Sequence, residues 1–171
     1  MKKRVVVTGM GVISPVGIGN EAFWDSLING RSGLGPVTRF DASNLPTKIA
    51  GEVKEFDPLQ YLEKKEVRRM DRFTQFALCA TKMAIADAGL NLDDLDKERL
   101  GVVLGTGIGG TQTFEEQHQV LLDRGPNRVS PFFVPMMIAN LAAGQISMML
   151  KAQGPNYTVV SACASATNAI G

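Results

Sequence analysis

Runs of aliphatic residues occur at three places along the chain. Residues 5–8, 101–105 and 158–161 are rich in valine, and runs of this length and composition are typical of strands buried on both faces. Such strands occur mainly in parallel sheets that are covered by helices. The pattern therefore predicts three buried strands of a parallel sheet.

Between these runs, apolar residues recur every three or four positions, which is the period of an α-helix. The spacing predicts helices over residues 21–29, 71–88 and 114–122. The first two are followed directly by a glycine, which favours the left-handed conformation that ends a helix. Asn20 is the expected N-cap of the first helix. Its apolar face would comprise Phe23, Trp24, Leu27 and Ile28. Helices that alternate with strands indicate an α/β fold.

Residues 129–150 contain no charged side chain. A stretch of this length could span a bilayer, but prolines, a glycine and several polar residues interrupt it, and a single cation flanks it on each side. Ser130 followed by a proline predicts the start of a helix. We therefore expect a buried helix, or one that packs against a partner subunit, and no membrane span.

The composition excludes several classes of protein. With 44% hydrophobic residues and a net charge of +1, the chain is predicted to fold and has no overall charge that favours nucleic acid. Two cysteines cannot form the framework of a disulfide-rich secreted domain, which favours a reducing, cytoplasmic location. The apolar run near the N-terminus resembles a signal peptide only superficially, because threonine, glycine and proline interrupt it.

Residues 105–110 satisfy the pattern G-x-G-x-x-G after a predicted strand and before a predicted helix. This is the context of a dinucleotide-binding fingerprint. The acidic residue expected at the ribose would have to be Asp123, which lies at a helix end instead of a strand tip. We therefore favour a tight turn whose backbone closely approaches another element, and we keep dinucleotide binding as an alternative.

Cys163 is the strongest candidate for a chemical role. It lies where a predicted strand meets a helix of small residues, and free amides at a helix start favour a thiolate and can stabilise an oxyanion. The same pattern also fits a buried cysteine in a tightly packed junction. The one histidine, His118, lies on a polar helical face and is expected at the surface, whereas Cys79 is expected in the core.

Four motifs, taken in order, resemble the β-ketoacyl-acyl carrier protein synthases, most closely the bacterial elongating type II enzymes of fatty acid synthesis. They are VVVTGMGVISPVG at residues 5–17, GTGIGG at 105–110, SPFFVP at 130–135 and SACASA at 161–166. The resemblance implies a homodimer with a thiolase-like fold, in which two similar α/β halves pack as five αβαβα layers. Residues 1–171 correspond to the first half, so we expect the second half to be absent and the chain to end within the helix that bears the cysteine.

The resemblance also assigns site residues. It makes Cys163 the nucleophile that accepts the acyl group from a carrier protein thioester, with its backbone amide as one oxyanion donor. It places Ile108 and Phe133 at the border of the acyl pocket, with Phe133 reaching across the dimer interface, although core packing would also explain both. It implies no metal and no resident cofactor, because the substrates arrive on the phosphopantetheine of acyl carrier protein.

A cluster of cations precedes the second predicted helix. Lys65, Arg68 and Arg69 fall at positions i, i+3 and i+4, which places them on one face if residues 61–70 are helical. A solvated charged face is the default interpretation, since two glutamates are interleaved. The resemblance implies that these positions meet the acidic carrier protein, in which case docking should weaken with salt.

The implied reaction is a decarboxylative Claisen condensation in two stages. Cys163 is first acylated, and a carbanion formed from malonyl carrier protein then attacks the acyl-enzyme to give a 3-oxoacyl product. In the family, the second stage depends on two histidines, a lysine and a glycine-rich loop of the second half, so the 171 residues alone are expected to be inactive. Two alternatives are a non-catalytic carrier-binding or dimerising module, which typically lacks the nucleophile, and a dinucleotide-dependent oxidoreductase.

Overall fold

A computed structural model describes residues 4–171, and the chain divides into two compact units. The first comprises Met1–Asp57 and Ala80–Leu90, and the second comprises Pro58–Cys79 and Asn91–Gly171. The helices are α1 (Asn20–Ile28), α2 (Lys64–Val67), α3 (Arg72–Asp87), α4 (Thr111–Arg124), α5 (Phe133–Met137), α6 (Asn140–Leu150) and α7 (Ser165–Ile170). The strands are β1 (Ile13–Ser14), β2 (Gly17–Ile18), β3 (Leu34–Pro36), β4 (Ile49–Gly51), β5 (Val102–Gly105) and β6 (Asn156–Val159).

The first unit contains two antiparallel hairpins, β1 with β2 and β3 with β4, together with α1 and the C-terminal part of α3. The chain before β1 passes so close to α3 that a side chain at Gly9 or Gly11 would collide with the helix backbone at Ala84 or Ala80. Glycine is therefore required where this segment crosses the helix.

The N-terminal segment departs from the predicted strand. Among residues 4–171, residues 5–8 have no strand partner, and Val5 is 95% exposed. A strand exists only where a neighbour accepts and donates its backbone hydrogen bonds, and the described chain offers none here. The prediction of a buried strand at residues 5–8 is therefore wrong for the described chain.

Helix α1 also differs from its prediction. Its N-cap is Gly19, and the Asn20 side chain donates a 2.9 Å hydrogen bond to the Met10 carbonyl instead of capping the helix. Most of the predicted apolar face lies at the surface, with Trp24 63% exposed, and the buried residue of the helix is Ser26. The glycine after the helix is left-handed, as predicted.

Glu52 fastens the hairpin of β3 and β4. Its carboxylate accepts hydrogen bonds from the Thr38 hydroxyl at 2.6 Å and from the Thr38 and Arg39 N–H groups at 3.0 and 3.2 Å. These bonds, led by that from the Thr38 hydroxyl, lower the pKa of Glu52 below its ordinary value. Because the folded-state pKa is lowered, the stabilisation is present above the ordinary pKa and is lost as the pH falls through the lowered one.

The second unit is organised around a parallel pair of strands. β5 pairs with β6 in a register that runs from Val102 opposite Asn156 to Gly105 opposite Val159. The pair confirms the predicted parallel arrangement, although β6 begins and ends two residues before the predicted run at 158–161. The prediction that these strands are buried on both faces is wrong, because Val103 is 41% and Tyr157 is 56% exposed. Helix α6 packs against both strands through its buried residues, which are Ala142, Ala143, Ile146 and Leu150.

The uncharged stretch forms two helices instead of one. The backbone at Ile138 is extended and ends α5 before α6 begins, and Val134 and Met148 are exposed. The prediction of a single all-round buried helix is therefore wrong, because the extended residue interrupts the helical hydrogen bonds. In the part of the chain that the structure describes, no helix is long and apolar enough to cross a membrane.

The second predicted helix is confirmed. α3 covers Arg72–Asp87, Gly89 after it is left-handed with φ 60°, and Cys79 is completely buried within it, as expected of a core residue. α4 is longer than its predicted range, since it begins three residues earlier and ends two residues later.

A buried carboxylate joins the starts of α3 and α4. Asp71 Oδ2 accepts hydrogen bonds from the Thr113 N–H at 2.8 Å and the Thr113 hydroxyl at 2.6 Å, and Oδ1 accepts one from the Phe73 N–H at 3.2 Å. Asp71 and Thr113 are both buried. N–H groups in the first turn of a helix lack partners within that helix, so one carboxylate satisfies a donor from each of two helices.

We predict that Asp71→Ala lowers the free energy of unfolding of the second unit by on the order of 2–4 kcal/mol, because it leaves buried donors of Thr113 and Phe73 without an acceptor. Urea denaturation of the whole protein measures the effect. Asp123→Ala is the control, because the Asp123 carboxylate is exposed on α4 and accepts a hydrogen bond from another exposed side chain, that of Gln119. Equal losses in the two variants would contradict a special role for the Asp71 carboxylate.

Candidate active site

Cys163 lies in a short 3-10 turn, Ala162–Ala164, between β6 and α7. Its side chain is free and exposed. The structure thus confirms the predicted position at a strand–helix junction and contradicts the alternative of a buried cysteine. α7 follows directly and covers Ser165–Ile170.

The residue before the cysteine has an unusual backbone. Ala162 is left-handed, with φ 50°, and is one of three non-glycine residues with positive φ in the described chain. This conformation brings the alanine Cβ close to its own backbone and is sparsely populated for residues other than glycine. The surrounding contacts must therefore hold Ala162 in place.

Ser165 supplies several of those contacts. Its hydroxyl accepts a hydrogen bond from the Ser161 N–H at 2.9 Å and lies 2.7 Å from the Ala162 carbonyl and 3.0 Å from the Thr106 carbonyl. The Ser161 side chain is held in turn by the Asn168 amide, which donates to its hydroxyl at 2.8 Å. Ser165 is only 3% exposed, so water does not compete for these bonds.

The glycine-rich loop after β5 packs between the cysteine turn and α5. A Cβ at Gly105 would collide with the Ser165 carbonyl, and one at Gly109 or Gly110 would lie 2.7 or 2.5 Å from a carbonyl of α5. This confirms the predicted tight turn with close backbone approach. The Gly110 N–H donates to the Met137 carbonyl at 2.8 Å, so protein occupies the position at the start of α4 where a dinucleotide phosphate would bind.

The two predicted pocket residues lie on the two elements that pack together here, the glycine loop and α5. Ile108 is at the tip of the glycine loop and is 73% exposed. Phe133 begins α5 and is half-buried, with its ring 6.2 Å from that of Phe114 on α4. The loop contacts therefore connect the cysteine turn, Ile108 and the helix that carries Phe133.

The predicted cationic face is only partly helical. α2 covers Lys64–Val67 instead of residues 61–70, because Glu63 is extended and caps the helix in a capping box with Glu66. Lys65, Arg68 and Arg69 are exposed. The Arg69 guanidinium lies over the Phe132 ring, 4.9 Å from its centroid, so this cation packs next to the segment that carries Phe133.

His118 is exposed on α4, as predicted, and stacks on Phe114 with ring centroids 6.1 Å apart. Its ring therefore packs on a neighbouring side chain of its own helix.

Sequence reasoning missed Ser165 and Asp71. Ser165 is one of several small residues after Cys163, and nothing in the pattern distinguishes it from its neighbours. Asp71 directly precedes a helix, which is a cap signal, but its bond to Thr113 joins residues 42 positions apart and has no local signature.

Comparison with known proteins identifies the family of this site. The family described as "Beta-ketoacyl synthase, N-terminal domain" matches residues 2–171. The chain belongs to the β-ketoacyl synthase family. A relative from Synechocystis sp., named "3-oxoacyl-[acyl-carrier-protein] synthase 2", is 53% identical over 170 residues, which are 99% of this chain and 41% of that relative. The chain thus spans about two fifths of the length of this synthase.

Solved structures assign the thiolase-like ketosynthase fold. The chain is similar to "The ishigamide ketosynthase/chain length factor" with a TM-score of 0.83 and 32% identity, covering 91% of this chain and 39% of that one. It also resembles a type II polyketide ketosynthase solved in complex with its acyl-carrier protein, with a TM-score of 0.84, 26% identity and 99% of this chain covered against 45% of that one. The predicted family and fold class are confirmed.

We predict that iodoacetamide alkylates Cys163 in the folded protein much faster than Cys79, since only the former is exposed. Peptide mass spectrometry after timed alkylation gives both rates in one sample. In denaturant the two cysteines should react at similar rates. Equal rates in the folded protein would contradict the exposed position of Cys163.

Proposed function

We propose that this chain forms the N-terminal thiolase-like half of an elongating 3-oxoacyl-acyl carrier protein synthase, an acyltransferase of fatty acid synthesis. The exposed Cys163 on its strained turn is the observation that carries the proposal. The family and the name of the Synechocystis relative support it. Because the chain spans 41% of that relative, the activity belongs to a whole protein that also contains a second half.

In the first stage, the Cys163 sulfur attacks the thioester carbonyl of an acyl carrier protein. A bond forms between this sulfur and the acyl carbon, and the bond from that carbon to the phosphopantetheine sulfur breaks. The proton of the Cys163 thiol ends on the released phosphopantetheine thiol. The Cys163 backbone N–H is one donor to the oxyanion that forms between these steps.

The acyl chain then occupies a pocket bordered by Ile108 and Phe133. The exposure of Ile108 and the half-burial of Phe133 support this assignment, because both side chains leave apolar surface for a ligand or a second subunit to cover. We place Phe133 at the interface of a homodimer, where it contributes to the pocket of the partner. Analytical ultracentrifugation of the whole protein tests whether it is a dimer.

The second stage requires groups of the other half of the protein. Decarboxylation of malonyl carrier protein yields the carbanion that attacks the acyl-enzyme, and the new carbon–carbon bond releases the Cys163 sulfur. No resident cofactor or metal takes part. Cys79 and Cys163 form no disulfide in the part of the chain that the structure describes, which supports a reducing, cytoplasmic location.

We predict that the whole protein, incubated with acyl carrier protein loaded with a fatty acyl group, gains one acyl group on Cys163. Tandem mass spectrometry of the protease digest locates the modification. Cys163→Ala should abolish it, whereas Cys79→Ala should retain it, because Cys79 is buried. An acyl group at another residue, or none, would reject the synthase assignment and favour a non-catalytic carrier-binding module.

A cationic surface of Lys65, Arg68 and Arg69 is proposed to dock the acidic carrier protein. All three side chains are exposed, and the packing of Arg69 on Phe132 sets this surface beside the segment that carries Phe133. Exposed charges of this kind accelerate association more than they strengthen the final complex.

Arg68→Glu should therefore lower kcat/KM for the acyl carrier protein by about tenfold at low salt, and the difference from the wild type should shrink as salt is raised. Steady-state kinetics at two salt concentrations measure both effects. Lys48→Glu is the matched control, because it makes the same change of charge at an exposed position of the first unit. Equal losses in the two variants would show a general effect of net charge instead of docking.

A further inference from the structure

We propose that Ser165 is a positioning residue for Cys163, holding the turn that presents the thiol in its strained, reactive conformation. The inference rests on the proposed function, since it concerns the same nucleophile. Ser165 is not proposed to touch the substrate, and it acts through the backbone of the turn.

The hydroxyl of Ser165 holds the N-terminal end of the turn. It accepts the N–H of Ser161, the residue before the strained one, and it lies within hydrogen-bond distance of the carbonyl of Ala162, the strained residue itself. The Ala164 N–H donates to the Ser161 carbonyl at 3.1 Å and closes the same turn from the other side. These contacts fix the backbone on both sides of the peptide that leads into Cys163.

The same hydroxyl joins the turn to the glycine loop. Its single proton is shared between the carbonyls of Ala162 and Thr106, and Thr106 follows directly on β5. The Thr106 N–H donates in turn to the Val159 carbonyl of β6 at 3.1 Å. The start of the loop that carries Ile108 is therefore in hydrogen-bond contact with the turn that carries Cys163.

Burial makes the hydroxyl difficult to replace. Because Ser165 is 3% exposed and Gly105 packs directly against its carbonyl, little space remains for a water molecule to substitute for the lost group. Without the hydroxyl, the N–H of Ser161 loses its acceptor and Ala162 loses one of the contacts that restrain its left-handed conformation, while the hydrogen bond from the Ser165 N–H to the Ala162 carbonyl remains. The turn then relaxes toward negative φ and moves the thiol and the N–H of Cys163.

This mechanism makes a specific prediction for Ala162, because glycine adopts the left-handed conformation without strain. Ser165→Ala should lower the first-order rate of Cys163 acylation at saturating acyl carrier protein by about tenfold, with an unchanged KM for the carrier. In the Ala162→Gly background the same substitution should lower the rate by less than about threefold. Single-turnover kinetics on the whole protein give all four rates of this double-mutant cycle.

Ser26→Ala is the matched control, since it removes the hydroxyl of another buried serine, and it should leave the rate unchanged. Protection of the buried Cys79 from alkylation reports folding in every variant. The proposal is overturned if Ser165→Ala lowers the acylation rate equally in the two backgrounds. It is also overturned if Ser165→Ala removes the protection of Cys79 and Ala162→Gly does not restore it. Either result would assign Ser165 a general stabilising role.

Alkylation of Cys163 by iodoacetamide separates this inference from the proposed function, because it needs no carrier protein. Ser165→Ala should slow it severalfold in the Ala162 protein and leave it nearly unchanged in the Ala162→Gly background. If the wild type is never acylated but alkylation follows this pattern, the synthase assignment fails and the positioning role stands. If acylation occurs and the effects of the two substitutions are additive in both the acylation and the alkylation cycles, the positioning role is rejected and the synthase assignment stands.

Discussion

The parallel pairing of β5 with β6 is the constraint on which the candidate site depends. Parallel strands deliver their carboxyl ends to the same edge of a sheet, so the glycine loop after β5 and the cysteine turn after β6 emerge side by side. The absence of a side chain at Gly105 lets the end of β5 meet the backbone at the start of α7, directly after the turn. The hydroxyl of Ser165 then fastens the two together.

From this edge the contacts extend outward through backbone and buried polar groups. The glycine loop packs on α5, and Asp71 ties the start of α4, directly after the loop, to the start of α3. Arg69, which lies two residues before Asp71 in the sequence, packs on the ring of Phe132. Within the second unit, Arg69 is thus in contact with the segment that carries Phe133, and the glycine loop connects Ile108 and α5 to the turn that carries Cys163.

Sequence reasoning succeeded where the signal was local. The composition of residues 101–105 predicted a strand, the apolar spacing of residues 71–88 predicted α3, and the pattern around Cys163 predicted its position between a strand and a helix. It failed where a partner decides the outcome. Residues 5–8 have strand composition but no strand beside them in the described chain, and the apolar side chains of α1 lie largely at the surface. Composition states what a segment can bury, and only the neighbouring elements determine whether it is buried.

The sequence by itself determined the α/β class and the family motifs, because each depends on residue types at short spacing. It predicts Cys163 as the nucleophile only through the resemblance that those motifs carry. The tertiary structure decided that Ala162 is left-handed, that Ser165 holds it, and that Asp71 serves two helices. These features depend on contacts between residues as many as 59 positions apart, such as Ser165 with Thr106. No local sequence pattern indicates such contacts, because these residues come into contact only when the chain folds.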